Sequence, residues 1–353
     1  MLIAFLSVGC RRFIKPSGWA DPVVANEIIV ATSSAGELSE ISRDDFTRVW
    51  RFPGPDDDGI RPEAIYGTPV VTADTVYFGG YDGSVYALGL GSGRLKWDQP
   101  FKTEGRIIGG VVLDEANETL FVASDDGRLY GLDPTSGRPK NDWQFKAGGG
   151  IWATPLLAEG VLYVPSLDGR LYALDAATGQ ELWRSKADGR LISNPAISGN
   201  TIIVGGIGRR LDAIDAETGS TLWSFKGDNW FWGEALIADG TVYAPSLDSH
   251  VYALDLATGS ERWSFETQSQ VRSRPLLMEG ADILVVADGG GHLYGLDLDS
   301  GTPMWNAPAD LGTTVLSDPV PTEQGVLISA QGGDLFQLNP DAGSVSKITV
   351  KSQ

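Results

Sequence analysis

Few residues of this 353-residue chain have the type and spacing to do chemistry, and sorting them narrows what the protein can be. Its two histidines, His250 and His292, each sit beside a turn where equivalent segments carry Arg, Asp or Gly, so they read as turn residues and not as a base or a metal ligand. A single cysteine, Cys10, excludes an internal disulfide and any cysteine-based metal cluster. The acidic run Asp56-Asp57-Asp58-Gly59 lacks the alternating spacing of a calcium loop and reads as a solvated loop, so no metal site is expected. No serine sits in a nucleophile elbow, and no glycine loop follows a strand and opens a helix to cradle phosphate.

What remains is aromatic and basic. Trp19, Tyr66, Ile108, Trp152, Ile192, Trp232, Arg272 and Leu316 share one position in a recurring segment, three residues before a proline or its equivalent, and Arg106, Arg190 and Trp230 lie two residues earlier. Trp, Tyr and Arg give large contact area with few rotamers lost, which suits recognition better than bond-making. The same bulk would also narrow a wide channel. In Asp228-Asn229-Trp230-Phe231-Trp232-Gly233 three successive aromatics cannot all enter one strand face, so at least one is expected to be exposed. Arg272 and Arg274 would offer positive contacts to a carboxylate or an acidic peptide. The candidate binding residues are therefore Tyr66, Arg106, Trp152, Arg190, Trp230, Phe231, Trp232, Arg272 and Arg274, and no catalytic residue is assigned.

The elements that position them follow from a repeat. Trp50, Trp97, Trp143, Trp183, Trp223, Trp263 and Trp305 recur at 40–47 residues, and a further step of 40 reaches Val345, which gives eight units. Each unit holds four short runs rich in β-branched and aromatic residues, closed by Gly, Asp or Asn, as in Leu156-Leu157, Val161 to Val164, Leu171 to Leu174 and Glu181 to Trp183. Asp82-Gly83, Asp126-Gly127 and Asp168-Gly169 supply a positive-φ glycine between the second and third runs. Asp-x-x-Thr-Gly between the third and fourth, as in Asp175 to Gly179, supplies a carboxylate that can bond its own turn, so these repeated aspartates read as scaffold. The first unit is complete, running from Asp21 to Trp50. Eight four-stranded antiparallel units make an all-β, eight-bladed β-propeller over residues 18–353, with the tryptophans filling the gaps between blades.

The run Ala173-Leu174-Asp175-Ala176-Ala177-Thr178-Gly179-Gln180-Glu181-Leu182-Trp183 resembles the tryptophan-docking motif Ala-x-Asp-x-x-x-Gly-x-x-x-Trp of the pyrroloquinoline quinone (PQQ) repeat superfamily, and it recurs at Ala213 to Trp223 and Ala253 to Trp263. The resemblance covers about residues 18 to 350. It implies the propeller but leaves function open, because that superfamily holds both quinoprotein dehydrogenases and non-catalytic lipoproteins similar to BamB, a scaffold of the outer-membrane β-barrel assembly machinery. The dehydrogenases cover their quinone with a disulfide of two adjacent cysteines, and Cys10 alone cannot make one. A BamB-like binding scaffold without a cofactor is the expected class. A PQQ- and calcium-dependent alcohol or sugar dehydrogenase and an extracellular carbohydrate or peptide binder are the alternatives.

Composition sets the surroundings. With 42% hydrophobic and 21% charged residues the chain can bury a core, and 46 acidic against 27 basic residues, a net charge of −19, would repel a phosphate backbone, so nucleic-acid binding is not expected. The apolar stretch from Met1 to Gly9, ending at Cys10, resembles the end of a bacterial lipoprotein signal. In that case Cys10 carries the lipid, residues 1–17 are signal and tether, and a monomeric propeller works outside the cytoplasm, touching the membrane only through its anchor and a protein or peptide partner through its interblade loops.

Overall fold

The computed structural model describes residues 16–33, 35–55, 57, 59–278, 280 and 282–352; Cys10, Asp56 and Asp58 lie outside the described residues. Every described element is a strand, and the strands form eight four-stranded antiparallel sheets, each built from four consecutive strands. The blades span residues 23–52, 70–102, 111–146, 156–186, 196–226, 236–266, 276–310 and 320–348. First strands of neighbouring blades lie against one another around a channel, blade 8 against blade 1 included. The chain is thus the eight-bladed propeller that the repeat implies.

The turn chemistry is as the sequence reads. Gly83, Gly127 and Gly169 take φ of 82°, 84° and 79°. In the Asp-x-x-Thr-Gly turns the Asp175 carboxylate accepts the Thr178 N–H at 2.8 Å and its hydroxyl at 2.6 Å, and Asp215 and Asp255 do the same with Thr218 and Thr258.

The apolar cores lie between blades. Each of eight clusters of buried side chains straddles one seam, for example Phe121, Leu129 and Trp143 of blade 3 with Leu162, Tyr172 and Leu174 of blade 4. The recurring tryptophan locks the seam from its outer edge. Trp183 lies over Gly219 of the next blade, where an added Cβ would come within 2.6 Å of the ring, and its Nε1 donates to the Ala216 carbonyl at 3.0 Å. Trp97, Trp143, Trp223, Trp263 and Trp305 donate in the same way to the carbonyls of Pro134, Ala176, Leu256, Leu298 and Pro340. Trp50 differs: it donates to Glu40 Oε2 at 2.6 Å, and that oxygen also accepts the Gly91 N–H at 2.7 Å.

Three details depart from the sequence reading. Trp97 and Trp305 stand outside regular strand, because Pro100 and Pro308 shorten the last strands of blades 2 and 7 to Phe101–Lys102 and Ala309–Asp310. In blade 8 the residue opposite Gln337, the tryptophan's place, is Ser346 and not Val345: this blade lacks the bulge of the others, so the place lies nine residues after Gln337 where Trp263 lies ten after Ala253, and the 40-residue step is one residue short of it. Ring closure therefore uses other means. Lys351 donates to the Phe46 carbonyl and accepts from the Arg48 N–H, both at 2.9 Å, pinning the C-terminal tail to blade 1.

Candidate functional site

The segments entering each blade and the turns between its second and third strands are hydrogen-bonded at one mouth of the channel. Tyr81 N–H donates to Ala64 O, Asp125 to Arg106 O, Ile207 to Arg190 O and Leu247 to Trp230 O, all at 2.9 Å. This fixes the rim backbone and with it the side chains that follow. All eight residues of the ring inferred from the sequence, Trp19, Tyr66, Ile108, Trp152, Ile192, Trp232, Arg272 and Leu316, line one cavity at this mouth.

Within the ring the aromatics and arginines are already engaged with one another. Arg106 lies over the Tyr81 ring at 4.8 Å, Tyr81 meets Tyr66 edge-on at 5.3 Å, and Tyr66 meets Trp19 at 4.3 Å. Arg272 sits 4.9 Å from the Trp232 ring and 5.9 Å from Trp19, and its Nε is buried without a hydrogen-bond acceptor. Burial holds the Arg272 pKa below the usual arginine value. Trp152 donates to the Asp125 carboxylate at 2.6 Å. The result is a collar of flat rings, with cation–π contacts each worth about 0.5–2 kcal/mol.

One step deeper runs a polar belt, formed by the residues two positions beyond the ring. Asp318 N–H donates to Asp21 Oδ1 at 2.6 Å, the Thr68 hydroxyl donates to Asp21 Oδ2, and Arg274 N–H donates to Asp318 Oδ1 at 2.6 Å. Thr154 accepts the Gly110 N–H at 2.6 Å and donates its own N–H to Asn194 Oδ1 at 2.8 Å, while Arg274 pairs with Glu234 at 3.4 Å. Each bond crosses to the neighbouring blade, so the belt ties the inner ends of the sheets together.

The belt carries three carboxylates against one guanidinium. Burial raises the Asp21 pKa against the opposing hydrogen bonds, burial and then the Asp21 charge push Asp318 well above the usual value, and burial raises Glu234 although Arg274 opposes it. A raised folded-state pKa means stability that is fully present below the unfolded value and lost as pH rises through the folded value. The protein should therefore gain stability as pH falls from 7 toward the ordinary carboxylate value of 3.8. Below 3.8 the trend should reverse, because the turn aspartates take up protons less readily in the folded protein than in the unfolded chain, notably Asp255, which its bonds to Arg262 and then Thr258 hold at about 2. Urea denaturation at pH 7, 5 and 4 checks this, and Asp318→Asn should flatten most of the rise.

The structure sorts the candidates. Tyr66, Trp152, Trp232 and Arg272 line the cavity, and Arg106 and Arg190 are exposed at its rim. Arg274 belongs to the belt. The three aromatics of the Asp228 to Gly233 segment separate completely: Trp230 is 36% exposed, Trp232 lines the channel, and Phe231 is fully buried. Phe231 packs against Phe225 and Tyr252, so assigning it to binding is corrected: it is a core residue of the seam between blades 5 and 6. His250 and His292 bond to Asp248 and Asp288 at the starts of their strands, as turn residues do. The sequence reading missed Tyr81 and most of the belt. Tyr81 stands next to the repeated Asp-Gly turn, here Asp82-Gly83, where other blades put Asp125, Leu167 or Leu247, and the belt's signal was a polar residue directly before the first-strand proline.

Comparison with known proteins agrees with this geometry. A search of curated proteins finds no match. Among solved structures the chain is similar to the computationally designed Ika8 protein (TM-score 0.74, 16% identity, 91% of this chain and 95% of that one). It is also similar to BamB from Moraxella catarrhalis (TM-score 0.72, 18% identity, 90% and 95%). At these identities the likeness speaks for the fold. A sequence model described as "Outer membrane protein assembly factor BamB" matches residues 12–109, 82–224 and 209–352, and with nearly the whole chain matched the protein belongs to this BamB family of PQQ-repeat propellers.

Proposed function

We propose that this protein is a non-catalytic binding scaffold, tethered to a membrane on its extracytoplasmic side, that grips a polypeptide partner with the collar face of its channel. The observation that carries the reading is the collar itself. Arg106 and Arg272 lie over aromatic rings and Arg274 pairs with Glu234, which leaves aromatic surface, the exposed Arg190 and the outward Trp230 as what a partner would meet. The family description names an outer membrane protein assembly factor, which supports an envelope location and a protein partner. Cys10 and residues 11–17, outside the described residues, would supply anchor and tether; no helix among the described residues is long and apolar enough to cross a membrane.

The same residues do not fit a quinone with calcium. PQQ is a planar tricarboxylate, and the channel floor presents Asp21, Glu234 and Asp318 with Arg274 among them. Among the described residues no group of three or more His, Cys, Asp or Glu could hold a metal ion. The cofactor-free reading is the one we propose.

Trp230→Ala should weaken recovery of the partner from native envelopes by about tenfold or more, the effect of losing an interface anchor, with an unchanged melting temperature because the ring is exposed. Phe231→Ala should instead destabilise the fold by about 3–5 kcal/mol. Equal recovery by the Trp230→Ala protein counts against the collar face as the docking surface.

A further inference from the structure

The eight seams between blades repeat one packing problem and solve it with different side chains. At five seams a last-strand phenylalanine meets a third-strand tyrosine of the next blade: Phe52–Tyr86, Phe101–Tyr130, Phe145–Tyr172, Phe225–Tyr252 and Phe265–Tyr294, with ring centroids 5.0–5.5 Å apart. Two seams replace the pair, by Ser185 with Asp212 and by Ala309 with Phe336, and at the closing seam the corresponding residues are Ile348, opposite Leu335 as Phe52 is opposite Leu38, and Ser39, opposite Ala31 as Tyr86 is opposite Phe78. This seam also has Ser346 where others have the docking tryptophan, and Phe46, at φ 57°, where others have its glycine.

A groove open to solvent runs at this seam between the third strand of blade 1 and the last strand of blade 8. Its charges are matched except one. Lys347 pairs with Asp334 at 2.6 Å and Glu37 with Arg51 at 3.6 Å. Arg48 lines the groove with its Nε buried and without a hydrogen-bond acceptor, and no carboxylate among the described residues lies within 4 Å of its guanidinium. A buried donor left unmatched is costly, which favours an acceptor supplied from outside.

We infer that the seam between blades 8 and 1 is a second docking site, separate from the collar, that takes from a partner polypeptide an aromatic side chain with a carboxylate beside it. The ring fills the space that Phe–Tyr pairs fill elsewhere, and the carboxylate meets Arg48. The five Phe–Tyr seams define the shape of the occupant and the lone arginine its charge.

The test uses N-acetyl-4-fluorophenylalanine, its uncharged amide and N-acetylalanine as probes, with binding of the fluorinated pair followed by ¹⁹F line broadening and N-acetylalanine as competitor. The acid should bind saturably with a Kd on the order of 1 mM, as expected for a fragment of this size. The amide should bind about tenfold more weakly, and N-acetylalanine should fail to displace the acid. Ser39→Tyr with Ile348→Phe fills the groove from within and should abolish binding in a protein at least as heat-stable as the parent. Arg48→Gln, which leaves the packing alone, should bind acid and amide alike, so the proposal remains testable even if the filled variant does not fold. No saturable binding of the acid up to about 20 mM, far past the fragment range, would overturn it, as would unchanged binding by the folded filled variant or an undiminished preference for acid in Arg48→Gln.

Discussion

Trp143→Ala should destabilise the protein by about 3–5 kcal/mol, the usual cost of deleting a large buried aromatic side chain. Trp143 is 8% exposed and packs against Phe121 at 4.8 Å. Its Nε1 donates to the Ala176 carbonyl at 3.1 Å, and Gly179 of blade 4 lies beneath its ring. Truncation removes contacts on both sides of a seam at once and leaves a carbonyl without its donor. Because sheets meet their neighbours only through such seams, the loss should fall on cooperativity as well as on the midpoint, giving a broadened transition in urea. Leu182→Ala is the control: Leu182 is 53% exposed on a blade's outer strand, and its loss should change stability by no more than about 0.5 kcal/mol. Urea denaturation followed by circular dichroism measures both, and equal effects from the two substitutions would mean that the docking tryptophan does not hold the seam.

Deleting residues 349–353 should cost about 2–4 kcal/mol, from two backbone hydrogen bonds at about 0.5–1.5 kcal/mol each and the packing of Val350 at about 1 kcal/mol. The closing seam is where this loss matters most. It has no docking tryptophan and no Phe–Tyr pair, its apolar cluster holds only Ile29, Ala31, Ile41, Leu327, Leu335 and Ile348 as buried members, and Val350 packs against that cluster. The tail is the outer pin and the Asp21–Asp318 contact the inner one. Hydrogen exchange should show blades 1 and 8 losing protection before the rest in the truncated protein. Uniform loss around the ring would contradict a weak closing seam. Filling the seam with Ser39→Tyr and Ile348→Phe should restore part of the stability.

The ring of blades was legible because each unit repeats its requirements in the chain: an Asp-Gly turn, an Asp-x-x-Thr-Gly turn and a tryptophan at nearly constant spacing. The ring within the collar was legible for the same reason, since counting back from each first-strand proline or its equivalent finds eight of the residues that line the cavity. What the sequence hid depends on contacts between blades far apart in the chain. Asp318 and Asp21 are 297 residues apart, and only ring closure makes them neighbours. Phe231 and Trp230 are adjacent and equally aromatic, yet one is buried and the other exposed, because the local backbone turns between them and composition cannot show which way. The spacing between the last two blades likewise differs from a 40-residue step, so the tryptophan's place falls on Ser346 and not on Val345.

The most direct test of the scaffold account places a photo-cross-linking amino acid at Trp230 on the collar face, and at Thr178 in a turn between third and fourth strands, in the protein held in native envelopes. The account predicts one discrete polypeptide adduct from position 230 and none from position 178. An adduct from position 178 with none from position 230 would contradict it, and so would the absence of any adduct together with saturable, calcium-dependent quenching of tryptophan fluorescence by PQQ.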